Sequence, residues 1–226
     1  MVQATENWRF IGFILALVAV LTWGVALTVV GVLSPSSLRL AMRYLTIATG
    51  AAGIAIWLLN RYVWRLWGFR QVLKIPDLSG RWEGWYYRTL TKEWVPCAHE
   101  VSQRALDIVV NAWGPKNWSR SICASIVRDA HGASHELVWS YKTELTGPPH
   151  LPGDTHNGTH FFRISERQGV RYLEGTYITD RVREGDKTMG AGGFQRVVWV
   201  SKALRSALDY DSNRWGMAKP EEPSLP

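Results

Sequence analysis

The sequence predicts a two-part protein: a membrane hairpin of two α-helices, then an all-β domain closing as an antiparallel up-and-down barrel of about eight strands. Three observations carry this reading. The apolar residues crowd into the first third of the chain, where residues 10–33 hold no charge at all. Beyond Pro76 the pattern changes to short β-branched and aromatic runs separated by Gly, Pro, Asn and Asp, which is strand-and-turn chemistry. Most of these separators are short enough for hairpins, and a meander of hairpins removes its exposed edges by closing on itself. A β-sandwich is the alternative arrangement of the same strands.

Taking the elements in order, residues 10–33 rise about 1.5 Å each as a helix, which suffices to cross a hydrocarbon core about 30 Å thick. A cleaved signal segment would be about half as long and would end in a small-residue cleavage site, whereas this run ends in "GVLSPSS". "SPSS", residues 34–37, reads as a turn, because Pro35 cannot extend a helix from within and the serines bond to local backbone. The second run, residues 44–60, is shorter. It spans if Arg43 and Arg61 reach outward along their stems and Trp57, Tyr62 and Trp64 lie among headgroups. A soluble two-helix core is the alternative, but the rest of the chain offers no helices to cover it. Within "IATGAAGIA", Ala48, Ala52 and Ala55 share a face, and Thr49 and Gly53 repeat a small-x-x-x-small spacing. Such a face packs closely on another helix, in the same chain or in another subunit.

Charge sets the expected topology. Arg61, Arg65, Arg70, Lys74 and Arg81 follow the second run, against Arg39 and Arg43 at the turn, so both termini and the barrel are expected in the cytoplasm. The formal net charge of +7 resides almost wholly in residues 1–76. A basic excess confined there fits lipid headgroups and topology, and argues against polymeric DNA or RNA as a partner. Cys97 and Cys123 form neither a disulfide framework nor a zinc motif and read as ordinary small side chains.

Expected strands cover residues 80–90, 101–112, 117–128, 136–145, 159–165, 170–179 and 188–201, with an eighth if the last breaks at "GAGG". The turns "GPKN", "DAHGAS", "ERQG" and "REGDK" supply residues that tolerate tight backbone. "TGPPHLPGDTHN" is long enough to be a lid or lip. The expected divisions are residues 1–76 for the hairpin and its basic segment, 77–206 for the barrel, and 207–226 for a polar, disordered tail.

With a period of two, "GRWEGWYYR" puts Trp82, Gly84, Tyr86 and Arg88 on one face. The Gly-x-Trp start resembles the opening strand of lipocalins, where the tryptophan packs across the barrel floor, and this assigns the Trp82 face inward. The strand at 170–179 aligns Arg171, Leu173, Gly175, Tyr177 and Thr179, with Arg181 beyond, a mixture too polar for a filled core. The strand at 117–128 offers Ser119, Ser121, Cys123 and Ser125 on one face, and its inward side stays open between that face and the other. Candidate ligand-binding residues are therefore Tyr86, Arg88, Ser119, Ser121, Tyr141, His156, Tyr177, Thr179 and Arg181. Eight strands enclose room for one small ligand. Arginine, hydroxyls and aromatic faces suit a nucleotide better than a fatty acid, since guanidinium pairs with phosphate and rings stack on bases. No catalytic residues and no cofactor are expected: nucleophile-elbow, Walker and dinucleotide motifs are absent from the sequence. The spacings in "HGASH" and "HNGTH" would suit a metal only on a helix, and none is expected.

"DLSGRWEGWYYR", "NWSRSICASI", "LVWSYKTEL", "HNGTHFFRIS" and above all "YLEGTYITDR" together resemble the SMODS-associated, two-transmembrane, β-strand-rich effectors of bacterial CBASS anti-phage defence. The most specific pieces are His156, Gly158 and Thr159, and then Leu173, Gly175, Tyr177, Thr179, Asp180 and Arg181. The resemblance extends over nearly the whole chain and implies a cytoplasmic barrel that senses a cyclic dinucleotide made by a partner CD-NTase. It also implies oligomerisation on activation, disruption of the inner membrane and abortive infection. A membrane-anchored, lipocalin-like carrier of an apolar molecule is the alternative and would require an apolar cavity; a passive scaffold would require no cavity.

Overall fold

The computed structural model describes residues 35–66, 75–89, 91–105, 107–115, 117–128, 134–145, 156–180, 192–205 and 215–220, with 20, 23, 24, 207, 208 and 210. The chain falls into two compact units, Met1–Ile75 with Arg104–Leu106, and Pro76–Gln103 with Asp107–Pro226.

In the first unit, helix α1 runs Pro35–Arg61 and a short 3-10 turn follows at Val63–Arg65. Pro35 opens the helix, so "SPSS" is not the expected turn: proline is well placed in a first helical turn, where its missing N–H would have no intrahelical partner. The expected first span, residues 10–33, lies outside the described residues except for Val20, Trp23 and Gly24, which are helical. Among the described residues no helix is long and apolar enough to cross a membrane. Helix α1 carries Arg39, Arg43 and Arg61, and its middle is Thr, Ala and Gly. Ala48 is a residue of α1; Ala52 is half-buried, while Gly53 and Ala55 are exposed. A side chain added at Gly53 would meet none of the described residues within 4 Å. Trp57 and Tyr62 are exposed and meet edge to face at 5.9 Å, but Trp64 is buried and does not face outward as expected.

The second unit is a closed barrel of eight antiparallel strands in sequence order. They are β1 (Gly80–Arg88), β2 (Glu93–Gln103), β3 (Ile108–Trp113), β4 (Asn117–Arg128), β5 (His135–Leu145), β6 (His156–Arg167), β7 (Val170–Thr179) and β8 (Gly192–Ser201). The eighth strand is β2, not a fragment of β8, which begins at the end of "GAGG" and runs unbroken. Pro96, with Glu93 and Glu100 toward the two ends, disguises β2 in the sequence. Pro96 pairs with Trp85 on one side only, since β3 reaches no further than Ala98, so its missing N–H breaks no ladder bond there. The expected strand at 101–112 joined the end of β2 to most of β3.

Inward positions alternate along the strands outside the register shifts, and the lower half of the barrel is a filled core of Trp82, Leu137, Trp139, Phe162, Leu173 and Val197, all fully buried. Trp82 forms the floor as expected, its Nε1 donating to Leu78 O at 2.9 Å. The segment entering β1 crosses this floor, held by Gln103 through Leu78 N at 2.7 Å and Pro76 O at 3.0 Å. The Arg171 guanidinium lies 4.4 Å from the Trp199 ring and 5.6 Å from Trp82, and donates to Asp77 O at 2.8 Å. Gly80 takes φ +126°, where a side chain would drive into Ser201 O, which explains the glycine at the entry to β1.

The outer face of β1 is buried too. Arg81 bridges Glu83 at 2.6 Å and Glu100 at 2.9 Å, with all three at most 2% exposed. The cover is the chain beyond β8. Arg81 donates to Ala207 O and Leu208 O, Glu83 accepts from Gly216 N, Trp215 Nε1 donates to Gly84 O, and Trp85 Nε1 donates to Met217 O. The described part of residues 207–226 is thus a strap along β1 and not the expected disordered tail. Two indoles and paired charges fix a segment whose own composition is polar.

The β3–β4 ladder is the shortest in the barrel: only Asn111–Arg120, Ala112–Ser119 and Trp113–Trp118 face each other. Beyond it β4 shifts register between Ser121 and Cys123, which leaves Ile122 68% exposed at the bulge. The shift resets the alternation, so Ser119 points inward before it and Ile126 after it, while Cys123 and Ser125 are exposed.

Candidate functional site

Above the core the barrel stays open as a cavity of about 150 Å³, at the end where β1, β3, β5 and β7 finish. Its mouth carries Arg88 from β1, with Ser119, Thr143 and Thr179 as hydroxyls and His156 beside them. Ser119 and Thr143 share a hydrogen bond at 2.8 Å, and Thr179 donates to Asn157 O at 3.0 Å. Arg88 donates to the Tyr86 hydroxyl at 2.7 Å and lies 5.3 Å from that ring, which holds the guanidinium in place.

Three tyrosines make the walls. Tyr86 meets Tyr177 edge to face at 6.0 Å, and Tyr177 donates to Tyr87 O at 3.2 Å. Across the pocket the Tyr141 phenol lies over Gly158, where any side chain would collide with the hydroxyl, so the glycine is what admits the ring. Burial pushes the Tyr141 and Tyr177 phenols well up, and both are neutral donors at neutral pH.

The bottom is built of Cys97, His99, His160 and Gln195. His160 stacks on Trp139 at 4.7 Å and an interplanar angle of 4°, and meets His99 edge to face at 5.7 Å. Gln195 Nε2 contacts Cys97 Sγ at 2.9 Å and the His99 Nε2 atom. Burial, then the Arg81 charge, pushes His99 down to about 3; burial and then His99 push His160 well below its usual range. Burial pushes the Cys97 thiol up, so it stays protonated and is a poor nucleophile.

The lining therefore holds one formal charge, that of Arg88, and no carboxylate among its described residues. Such a site offers a cation and hydroxyls to an anion at the mouth, ring faces to a planar group between, and neutral polar atoms below. The apolar cavity required of a lipid carrier is not what lines it, since Arg88 and Thr179 point in. Among the described residues no group of three His, Cys, Asp or Glu could hold a metal ion.

Of the candidate residues, the structure gathers Tyr86, Arg88, Ser119, Tyr141, His156, Tyr177 and Thr179 around this cavity. Ser121 does not line it; its hydroxyl accepts from Val110 N at 3.0 Å and ties β4 to β3. Arg181 lies outside the described residues. Asp180 instead fastens the β6–β7 end, accepting from Asn157 N at 2.7 Å and Asn157 Nδ2 at 3.0 Å. Cys97, His99, Thr143, His160 and Gln195 were not among the expected residues. Cys97 and His99 went with the unrecognised β2, whereas His160 stands two steps of two from His156, and the alternation alone would have placed it inside.

Residues 73–196 match the family model described as Cap15, cyclic dinucleotide receptor domain, which is more than half of the chain. No curated protein matches. The match begins just before the segment that crosses the floor and ends within β8, so it takes in every described strand that lines the cavity. The chain belongs to the Cap15 cyclic dinucleotide receptor family, a CBASS effector family.

Proposed function

We propose that the barrel cavity is the cyclic dinucleotide site, and that occupancy drives copies of the chain to associate and act on the bacterial inner membrane. The observation that carries the site is its lining: one arginine, hydroxyls and three tyrosines, with no carboxylate among the described residues, inside a barrel matched to a receptor family. A cyclic dinucleotide presents two phosphates and two flat bases, and each finds its complement there. The ligand would come from a CD-NTase working in the same cell. The chain acts as a receptor and not as an enzyme; its output is a change of assembly. Because a ligand shifts an equilibrium only by its differential affinity, it must bind the associated form more tightly than the single copy.

The membrane role falls to residues 1–76, supported by the uncharged run 10–33 and by the basic residues that follow the second run. Residues 77–206 act as the sensor. Both termini and the barrel lie in the cytoplasm under this reading, with cell death before phage maturation as the outcome. The test is calorimetric titration of the full chain with a panel of cyclic dinucleotides. Arg88→Ala is expected to weaken the best ligand about tenfold to a hundredfold, the worth of a charge-assisted bond, while the unfolding midpoint stays unchanged. Unchanged affinity would remove Arg88 from the site, and no binding by the wild-type chain would remove the site itself.

A further inference from the structure

We infer that the ligand binds with one base lowered to the bottom of the barrel, and that Gln195 reads the edge of that base. This rests on the reading of the cavity as a cyclic dinucleotide site and adds an orientation and a specificity residue to it. The first argument is the distribution of charge along the cavity. Among its described lining residues the one Lys or Arg, Arg88, sits at the mouth with the hydroxyls of Ser119, Thr143 and Thr179 nearby, whereas the bottom offers an amide and two neutral imidazoles. A phosphate placed at the bottom would surrender its hydration and gain no counter-charge; placed at the mouth it gains Arg88. The neutral part of the ligand, a base, is what the bottom can take.

The second argument is an unmet hydrogen-bonding capacity at that depth. Gln195 Oε1, His99 Nδ1 and His160 Nδ1 are buried and have no hydrogen-bond partner among the described residues. Buried polar atoms are ordinarily paired, and an unpaired group at the bottom of an open cavity is positioned for a ligand atom. The Gln195 amide nitrogen is already engaged by Cys97 and His99, which leaves its oxygen to accept. His99 Nε2 takes the Gln195 proton and so is an acceptor, which puts the ring proton on Nδ1 as a donor. An acceptor and a donor together complement an exocyclic amino group and the ring nitrogen next to it. Adenine has that edge; hypoxanthine, with an oxo group in place of the amine, does not. The walls fit the same pose, since a base lowered past Tyr86, Tyr141 and Tyr177 meets their rings on the way down.

The experiment compares cyclic di-AMP with cyclic di-IMP by calorimetry on the full chain, for wild type, Gln195→Met and Arg88→Ala. The wild type is expected to prefer cyclic di-AMP about tenfold or more. Gln195→Met should bring the two within about twofold, mainly by losing cyclic di-AMP, whereas Arg88→Ala should weaken both alike. A preference that survives Gln195→Met, one that favours cyclic di-IMP, or one that Arg88→Ala removes overturns the inference. Binding of cyclic di-GMP or cyclic di-UMP but of neither test compound overturns it while leaving the cyclic dinucleotide reading intact. Binding of none of the four overturns that reading as well. If Gln195→Met does not fold, imidazole ¹⁵N spectra of the wild-type chain decide. Saturating cyclic di-AMP should move the ring signals of both His99 and His160, and unmoved rings at saturation refute the lowered base.

Discussion

Acidifying the protein from pH 7.5 to pH 5 is expected to remove about 4 kcal/mol of barrel stability, because two histidines are buried neutral at the bottom of the cavity. Burial holds His99 at about 3 and His160 well below its usual range. In the unfolded chain both titrate near 6.5. Below that pH the unfolded state binds protons that the folded state refuses, so stability is full above pH 6.5 and declines as pH falls toward the folded values. Each group costs about 1.4 kcal/mol per pH unit once past the midpoint, hence about 2 kcal/mol each by pH 5 and about 4 for the pair. For a chain of this size that corresponds to a melting point lower by about 8–16 °C. Urea unfolding of the full chain, followed by tryptophan fluorescence at half-unit pH steps, measures it. His160→Phe preserves the stack on Trp139 and Phe162, removes one buried imidazole, and should halve the slope. Stability independent of pH over this range, or an unchanged slope in His160→Phe, would refute the reasoning.

Three further outcomes are expected. Arg81→Met strips the cation that bridges Glu83 and Glu100 under the strap, leaving Glu83 the more distant Arg205 at 4.0 Å, and should cost about 3–5 kcal/mol by urea denaturation; adding Glu83→Leu and Glu100→Leu should restore most of it. Gly158→Ala forces the Tyr141 phenol aside, which should cost about 1–3 kcal/mol and weaken cyclic dinucleotide binding by calorimetry. Gly53→Leu, on the small-residue face of α1, should leave calorimetric binding intact and abolish cell killing at equal expression, and retained killing would dismiss helix packing as the output.

What the sequence made legible was whatever depends on neighbouring residues. The period of two in "GRWEGWYYR" and "YLEGTYIT" set the inward faces of β1 and β7, and with them Tyr86, Arg88, Tyr177 and Thr179. What stayed hidden depends on distant chain. The reason β2 tolerates Pro96 is that β3 stops short of it, and Glu100 is buried because residues beyond 204 cover it. The strap itself is ordered by indoles more than a hundred residues apart in sequence. Ser121 was misplaced for a local reason that sequence alone does not show: it stands at the edge of the register shift in β4, and its hydroxyl is taken by the Val110 amide of β3.

The short β3–β4 ladder gives the barrel a weak stave. A closed hoop opens first where its staves are least joined, so the amides of this seam should exchange with solvent before those of the β4–β5 or β6–β7 ladders. Ala112 and Ser119 face each other across that seam, and both also line the cavity. A molecule seated there rests on both sides of the joint, like a dowel set across it. Occupancy would then change how tightly the hoop is closed as well as what it contains, and a stiffened hoop is a signal that the outer surface can carry without any strand leaving its place.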